Sequence, residues 1–228
     1  MQRRPSRSLT ALLASVVGAV ALALPAATAS AAERPATAQG SGEVCAAQAQ
    51  PVLTGQDAEL LPPTPVECFD TLEEALAFVS GRPLAEAEAL TERGADLESA
   101  ARTLNARSAA AAGSAATSER TVAAAASASL ILGVIYRDNN YSGRSTLLWG
   151  QGTNGCRTGS TYGFPNLANF TQNNVISSAE SFVGCWSTFY NEYSYWGDRR
   201  NCTPNCATMG TMNNRASSIV YRPSGTLG

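Results

Sequence analysis

The chain has 228 residues, of which 44% are hydrophobic, and a formal net charge of −2 at pH 7. It has no histidine, and all 16 of its basic residues are arginine. These absences exclude histidine-based acid–base catalysis, histidine metal ligands and a lysine Schiff base. We expect no nucleic-acid partner, because a strongly basic balance is what binds nucleic acid and this chain lacks one.

An enzyme with this composition would have to use carboxylates. In the C-terminal part these are Asp138, Glu180, Glu192 and Asp198. Two carboxylates can hydrolyse a glycoside when the fold places them correctly, but nothing in the spacing of these four favours it. We therefore expect all four to be solvated surface charges and the protein not to be an enzyme.

The N-terminus has the pattern of a secretory signal peptide. Arg3 and Arg4 begin a basic region, Leu9 to Leu24 is almost purely apolar, and small residues lead to a cleavage site after Ala31. We expect residues 1–31 to be removed and the mature protein to be secreted, with no membrane attachment afterwards. A twin-arginine export route and a short retained span remain alternatives.

Composition changes near residue 130. Residues 32–130 carry 14 acidic residues and 6 arginines, a net charge of −8, whereas residues 131–228 carry 4 and 7, a net charge of +3. Of the 16 aromatic residues, 14 lie between Tyr136 and Tyr221. An acidic, alanine-rich segment with few aromatics buries little apolar surface. We therefore predict a weakly structured, partly helical leader over residues 32–129 and a folded domain over residues 130–228.

Local signals divide the leader. Residues 32–66 are rich in Pro, Ala and Gln and are typical of an extended linker. A helix is predicted to begin at Asp70 or Thr71, each with a glutamate three residues on, and to end at Gly81. A second helical pattern covers residues 84–105, and the alanine-rich residues 108–129 are typical of a linker. The leader is either a pro-segment docked on the domain or a flexible spacer.

After residue 130 the pattern is that of short strands separated by Gly, Asn, Pro and Ser clusters. This density of strands, without a helical period between them, predicts an antiparallel all-β sandwich. The predicted strands are Leu130–Tyr136, Ser145–Trp149, Ser181–Cys185, Thr188–Tyr190 and Ser217–Arg222.

Six cysteines in an exported protein indicate disulfides rather than a redox or metal site. Six cysteines allow 15 pairings, and proximity in the chain favours Cys45–Cys68, Cys156–Cys185 and Cys202–Cys206. A four-cysteine zinc site is the less favoured alternative, given the spacing and the compartment.

An internal repeat is the most informative pattern in the chain. Asn-Asn-x-x-Ser-Ser occurs at residues 173–178 and again at residues 213–218. Each copy is preceded by an aromatic residue with a glycine seven positions on, Tyr136 to Gly143 and Tyr190 to Gly197. Asn and Ser supply the hard oxygen ligands that calcium prefers. The alternative is that these residues only form surface turns.

These residues resemble the βγ-crystallin family in its single-domain microbial form. The resemblance covers roughly residues 130–223 and implies two Greek-key motifs, each with an aromatic-x6-Gly hairpin. It also implies two calcium ions shared by the loops, held by asparagine side chains, backbone carbonyls and serine hydroxyls. The implied ligand residues are Asn173, Asn174, Val175, Ser177, Asn213, Asn214, Arg215 and Ser217.

The loops contain no aspartate, and Arg215 adds a positive charge, so we expect calcium binding to be weak. The resemblance favours a secreted, monomeric, non-enzymatic calcium-binding protein. A secreted protease inhibitor similar to family I36, or an antimicrobial protein similar to killer toxins that binds cell walls, is the alternative. An extracellular protease or a cell-wall glycan would then be the partner. The aromatic cluster from Phe189 to Trp196 could supply a contact surface, although we expect most of it to be packing.

Overall fold

The computed structural model describes residues 44–52, 64–91, 97–115 and 129–228. The predicted signal peptide, residues 1–31, lies outside these ranges, as does most of the predicted linker between residues 32 and 66.

The described residues form two five-stranded sheets and a layer of helices. The first sheet has the strand order β3-β1-β5-β4-β7 and the second has the order β2-β6-β10-β8-β9. The strands are β1 Val44–Gln48, β2 Gln50–Pro51, β3 Val66–Phe69, β4 Ser129–Asp138, β5 Ser142–Gln151, β6 Tyr162–Phe164, β7 Ser178–Ser181, β8 Cys185–Tyr190, β9 Arg199–Cys202 and β10 Ser218–Pro223. The helices are α1 Leu72–Ser80, α2 Leu84–Thr91 and α3 Leu97–Ala115.

The two sequence repeats exchange one segment each. Strands β4, β5 and β7 of the first repeat lie in the first sheet, but β6 of the same repeat pairs with β10 in the second sheet. In return, Cys206 of the second repeat forms a bridge to Ala179 of β7, with N–O distances of 2.8 and 3.0 Å. Two interlocked Greek keys result, and the C-terminal region therefore has the predicted βγ-crystallin-like sandwich.

Between the sheets lies an apolar core built from both repeats. The aromatic rings of Phe164, Phe170 and Tyr221 are fully buried and meet edge to face, with centroids 6.1 and 6.2 Å apart. Burial of aliphatic and aromatic side chains of this size is the main favourable term in the folding of the sandwich.

Strand β1 extends the first sheet from outside the predicted domain. Val44–Gln48 pairs in parallel with β5, and β3 pairs antiparallel with β1. The prediction that residues 32–66 are an extended linker is therefore wrong for β1, since its consecutive small residues Ala46 and Ala47 are both buried. The division of the chain at residue 130 into leader and domain stays a prediction.

The three helices cover the outer face of the first sheet and create a second apolar core. Leu76 of α1 and Leu104 of α3 are buried against Ile131, Val134 and other residues of the sheet. Several of the contributing helical residues are alanines, namely Ala75, Ala87, Ala100 and Ala101. Small side chains let the helices approach the sheet closely, so a few leucines together with these alanines are enough to pack the helical layer on the sheet.

One polar contact fixes α3 on the sheet. The buried Asn105 amide donates from Nδ2 to the Ile131 carbonyl at 2.8 Å, and its Oδ1 accepts from the Ile131 N–H at 2.8 Å. Ile131 lies where the register of β4 against β5 shifts, so its backbone groups need a partner outside the ladder. Asn105 supplies both bonds that the bulge leaves open.

The first predicted helix is confirmed in detail. The Thr71 hydroxyl accepts from the Glu74 N–H at 3.2 Å, and Gly81 ends α1 at a φ of 64°. The second pattern forms α2 and α3, and α3 continues to Ala115, so the prediction of a linker is wrong for residues 108–115. Helix propensity of alanine outweighs low complexity there.

Most predicted strands lie within observed strands, but the predicted strand Ser181–Cys185 is wrong. Strand β7 ends at Ser181 and β8 begins at Cys185, with a tight turn between them in which Val183 has a φ of 48° and Gly184 a φ of 74°. The turn contains apolar residues, and in the sequence such a short apolar run is typical of a strand.

All three predicted disulfides are present: Cys45–Cys68, Cys156–Cys185 and Cys202–Cys206. The first joins β1 to β3 at directly paired positions. None of the described helices is both long and apolar enough to span a bilayer.

Because α1 shares a core with the first sheet, Leu76→Ala should destabilise the whole sandwich. Truncating this fully buried side chain should lower the free energy of unfolding by about 2–5 kcal/mol. Leu84→Ala is the matched control, since Leu84 is 42% exposed and should change stability by less than about 0.5 kcal/mol. Urea unfolding, followed by tryptophan fluorescence, checks this. An unchanged midpoint in Leu76→Ala would show that the helical layer folds independently.

Candidate functional site

The two Asn-Asn-x-x-Ser-Ser loops lie side by side and are joined by reciprocal hydrogen bonds. The Asn174 N–H donates to the Ala216 carbonyl at 2.9 Å, and the Asn214 N–H donates to the Ile176 carbonyl at 3.0 Å. The donors and acceptors occupy equivalent positions in the two repeats. The site is therefore a paired structure, and neither loop has this shape without the other.

The second asparagine of each loop is in the left-handed backbone region. Asn174 has a φ of 57° and Asn214 a φ of 54°. Asparagine tolerates this conformation better than other residues that have a Cβ, because its short polar side chain can bond locally. This requirement explains why asparagine stands at that position in both copies.

The side-chain oxygens of the two loops converge. The Ser177 hydroxyl of the first loop donates to the Asn214 Oδ1 of the second at 3.2 Å. The Oδ1 atoms of Asn173 and Asn213 are buried, and neither has a hydrogen-bond partner among the described residues. A buried amide oxygen without a partner is costly. The same unsatisfied atom thus occurs at equivalent positions of both repeats.

The remaining predicted residues complete the description of the site. Ser217 is buried like Ser177, and its N–H donates to the Tyr190 carbonyl at 2.7 Å. All eight predicted residues therefore lie in two loops that are adjacent in the structure. Their oxygens include the Val175 and Arg215 carbonyls, which accept no backbone hydrogen bond in the described part of the chain.

The charge of Arg215 is partly offset within the site. Its guanidinium donates from Nη2 to Asp198 Oδ2 at 3.3 Å and from Nη1 to the Thr211 carbonyl at 3.2 Å. Both partners of the ion pair are at least half exposed, so the pair adds little stability. Its effect is to hold one carboxylate against the positive charge beside the second loop. Among the described residues there is no cluster of three or more His, Cys, Asp or Glu side chains. The eight predicted ligand residues themselves offer amide, hydroxyl and carbonyl oxygens.

The last serine of each motif has a structural role that the sequence did not reveal. Ser178 Oγ donates to the Asp138 carbonyl at 2.6 Å and accepts from the Tyr141 N–H at 3.0 Å. In the second repeat Ser218 Oγ donates to the Glu192 carbonyl at 2.7 Å and accepts from the N–H of the matching tyrosine at 3.0 Å. Each serine therefore fastens the folded hairpin of its own repeat to the loop.

The hairpins themselves also match. Tyr136 packs edge to face on Tyr141 with ring centroids 6.0 Å apart, and Tyr190 packs on Tyr195 at 6.1 Å. Gly143 has a φ of 75°, and a Cβ on it would lie 2.2 Å from Asp138 Oδ2. The aromatic-x6-Gly spacing thus determines the conformation of each hairpin, and the last serine of the loop motif is hydrogen-bonded to that hairpin.

One sequence expectation needs correction here. Glu180 is not a solvated surface charge: it is 5% exposed and accepts a hydrogen bond from the Tyr136 hydroxyl at 2.6 Å. The sequence could have indicated this, because Glu180 lies in a segment with few charges, close to the apolar Ala179 and Phe182. Most of the aromatic cluster is packing, as expected: Phe189 and Tyr190 are buried and Tyr195 packs on Tyr190, whereas Tyr193 is 44% and Trp196 is 73% exposed.

Comparison with known proteins yields no matching family model and no matching curated protein. Among solved structures, the chain is similar to the N-terminal domain of protein S at 22% identity, covering 40% of this chain and 96% of that one, with a TM-score of 0.33. It is also similar to a βγ-crystallin domain from Flavobacterium johnsoniae, at 26% identity over 42% and 99% of the two chains, with a TM-score of 0.31. A βγ-crystallin from Ciona intestinalis matches at 16% identity over 40% and 96%, with a TM-score of 0.30. These likenesses concern the fold alone.

Ser178→Ala should destabilise the protein through the first hairpin. It removes two hydrogen bonds and leaves the Tyr141 N–H and the Asp138 carbonyl without this partner, so the cost should be about 1–3 kcal/mol. Ser142→Ala is the matched control, because that exposed hydroxyl makes one bond within the turn, to the Asn139 carbonyl. Thermal unfolding by calorimetry measures both. Equal melting temperatures for the two variants would contradict the fastening role.

Proposed function

We propose that this is an exported, non-enzymatic protein whose βγ-crystallin-like domain binds calcium weakly at the paired loops. The observation that carries the proposal is the pair of buried Oδ1 atoms of Asn173 and Asn213, which have no hydrogen-bond partner among the described residues. A cation beside them would remove the cost of their burial. Surface turns alone would not require the same buried oxygen in both repeats.

The predicted donor atoms are oxygens, the kind of ligand that calcium binds. Calcium takes six to eight oxygen ligands from side chains, carbonyls and water, with flexible geometry. The first loop would contribute Asn173, the Val175 carbonyl and Ser177, and the second would contribute Asn213, the Arg215 carbonyl and Ser217. Asn174 and Asn214 lie at the junction between the loops. The contact between Ser177 and Asn214 supports sites composed of residues from both loops.

The donor set also sets the strength of binding. Amide, hydroxyl and carbonyl oxygens attract a divalent cation less than carboxylates do. We therefore expect a dissociation constant of roughly 10⁻⁴ to 10⁻³ M, as for extracellular calcium modules. Calcium at that concentration is available outside cells, so a weak site fits an exported protein. When bound, the ion would stiffen the junction of the two repeats.

Export and the lack of enzymatic activity rest on composition and chemistry. Three disulfides are typical of an oxidising, extracellular compartment. The chain has no histidine or lysine. The buried carboxylate of Glu180 accepts a hydrogen bond from the Tyr136 hydroxyl. These observations favour a binding protein over a hydrolase.

Calorimetric titration of the full chain with calcium tests the proposal. The wild type should release or absorb heat with a dissociation constant in the range given above, and Ser177→Ala and Ser217→Ala should each weaken binding by roughly tenfold. Ser160→Ala is the matched control, because Ser160 is exposed and lies outside both loops. At about 100 times the dissociation constant, calcium should add about 2.7 kcal/mol to the stability.

Absence of both heat and thermal shift at millimolar calcium would contradict the proposal and leave the fold unaffected. Equal binding by the wild type and both loop variants would place calcium elsewhere on the protein.

A further inference from the structure

A groove separate from the loops lies between helix α3 and the turn that joins β7 to β8. Its volume is about 520 Å³, which is within the range of small-molecule binding sites. The helical wall includes Arg102 and Ala106, and the opposite wall includes Arg157 and Trp186. The groove exists because the helical layer packs on the sandwich, so both parts of the chain form it.

In the wall opposite the helix, two glycines let neighbouring side chains pack directly against the backbone. A Cβ on Gly155 would lie 2.4 Å from the Val183 side chain, and one on Gly184 would lie 2.5 Å from Cγ of Arg157. Both glycines have positive φ, 59° and 74°, a region that favours glycine. The Cys156–Cys185 disulfide joins the two turns at this point. The wall is therefore preformed, and the stem of Arg157 lies across the Gly184 backbone.

Of the described residues that line the groove, Arg157 is a positive charge without an ion-pair partner in the described part of the chain. Arg102 forms an ion pair with Glu98 on its own helix. The Arg157 guanidinium makes no ion pair or side-chain hydrogen bond with the described residues, although its backbone N–H bonds to Asn154. A free guanidinium beside a cavity is suited to bidentate recognition of a carboxylate.

The other groups around Arg157 favour a sugar ring. Trp186 is partly buried and offers an apolar ring, while Thr153 and Asn154 offer a hydroxyl and an amide for hydrogen bonds. An apolar surface with a few polar groups that fix orientation is the usual composition of a small-molecule site. We propose that this groove binds a sugar that carries a carboxylate, with the ring against Trp186 and the carboxylate on Arg157.

An acidic peptide fits the groove less well. Peptides commonly bind by pairing with an exposed strand edge, and this groove is bounded by a helix and two turns instead. One free arginine is also too little charge for a nucleic acid, whose affinity comes from many phosphate contacts.

Titration of the full chain with sugars, in buffer that contains a calcium chelator, tests the proposal without involving calcium. D-glucuronate should bind with a dissociation constant on the order of 1 mM, since a ligand of its size has few contacting atoms. D-glucose should bind at least about tenfold more weakly, because it lacks the carboxylate. Arg157→Gln should reduce glucuronate affinity by roughly tenfold or more, and Trp186→Ala should weaken both sugars. Arg199→Gln is the matched control, since Arg199 is exposed and does not line the groove.

Each other outcome would overturn the proposal. No binding of glucuronate would show that the groove does not accept sugar acids. Equal affinity for acetate and glucuronate would reduce it to an anion site, and preference for a glutamate-rich peptide would assign a different ligand. Unchanged glucuronate binding in Arg157→Gln, with circular dichroism confirming the fold, would place the ligand elsewhere.

Discussion

The reciprocal hydrogen bonding of the two Asn-Asn-x-x-Ser-Ser loops is the constraint on which the rest of the C-terminal structure depends. Each loop gives one backbone N–H to the other and receives one in return, from Asn174 to Ala216 and from Asn214 to Ile176. Each loop also fastens its own hairpin through a buried serine, Ser178 or Ser218. Pairing of the loops therefore sets the relative position of the two Greek keys. The same geometry leaves the Oδ1 atoms of Asn173 and Asn213 without a hydrogen-bond partner among the described residues.

The helical layer changes how the sandwich is solvated. A βγ-crystallin-like sheet would otherwise expose Ile131, Val134 and Leu147 on its outer face, and here α1 and α3 bury them. The contact is largely apolar, and the ion pairs Arg82–Glu86 and Arg107–Glu86 lie within the helical layer itself. Salt screens interactions between charges and has little effect on apolar contacts of this kind. The difference in net charge between the two parts of the chain therefore does not hold the helices on the sheet in the described contacts.

Much of the fold could be predicted from the sequence, because the repeat fixes both the hairpins and the loops by spacing. The disulfide pairs followed from proximity. Strand β1 could not be predicted, because its residues are small and its pairing with β5 is a long-range contact. The turn at Val183 was mistaken for a strand, since hydrophobicity alone does not show positive φ. For the candidate site, the ligand residues predicted from the motif stay a prediction. The structural role of Ser178 could not be predicted from it, because that role depends on Tyr141, which lies 37 positions away.

The central claim is that each calcium position draws on both loops, and a double-mutant cycle on calcium affinity tests it most directly. Ser177→Ala and Asn214→Ala, alone and together, are measured by calorimetry against the wild type. If the two residues serve one ion, the cycle should give a coupling energy of about 0.5–3 kcal/mol. Additive effects, with a coupling energy near zero, would contradict the account, because they would mean that the loops bind calcium independently.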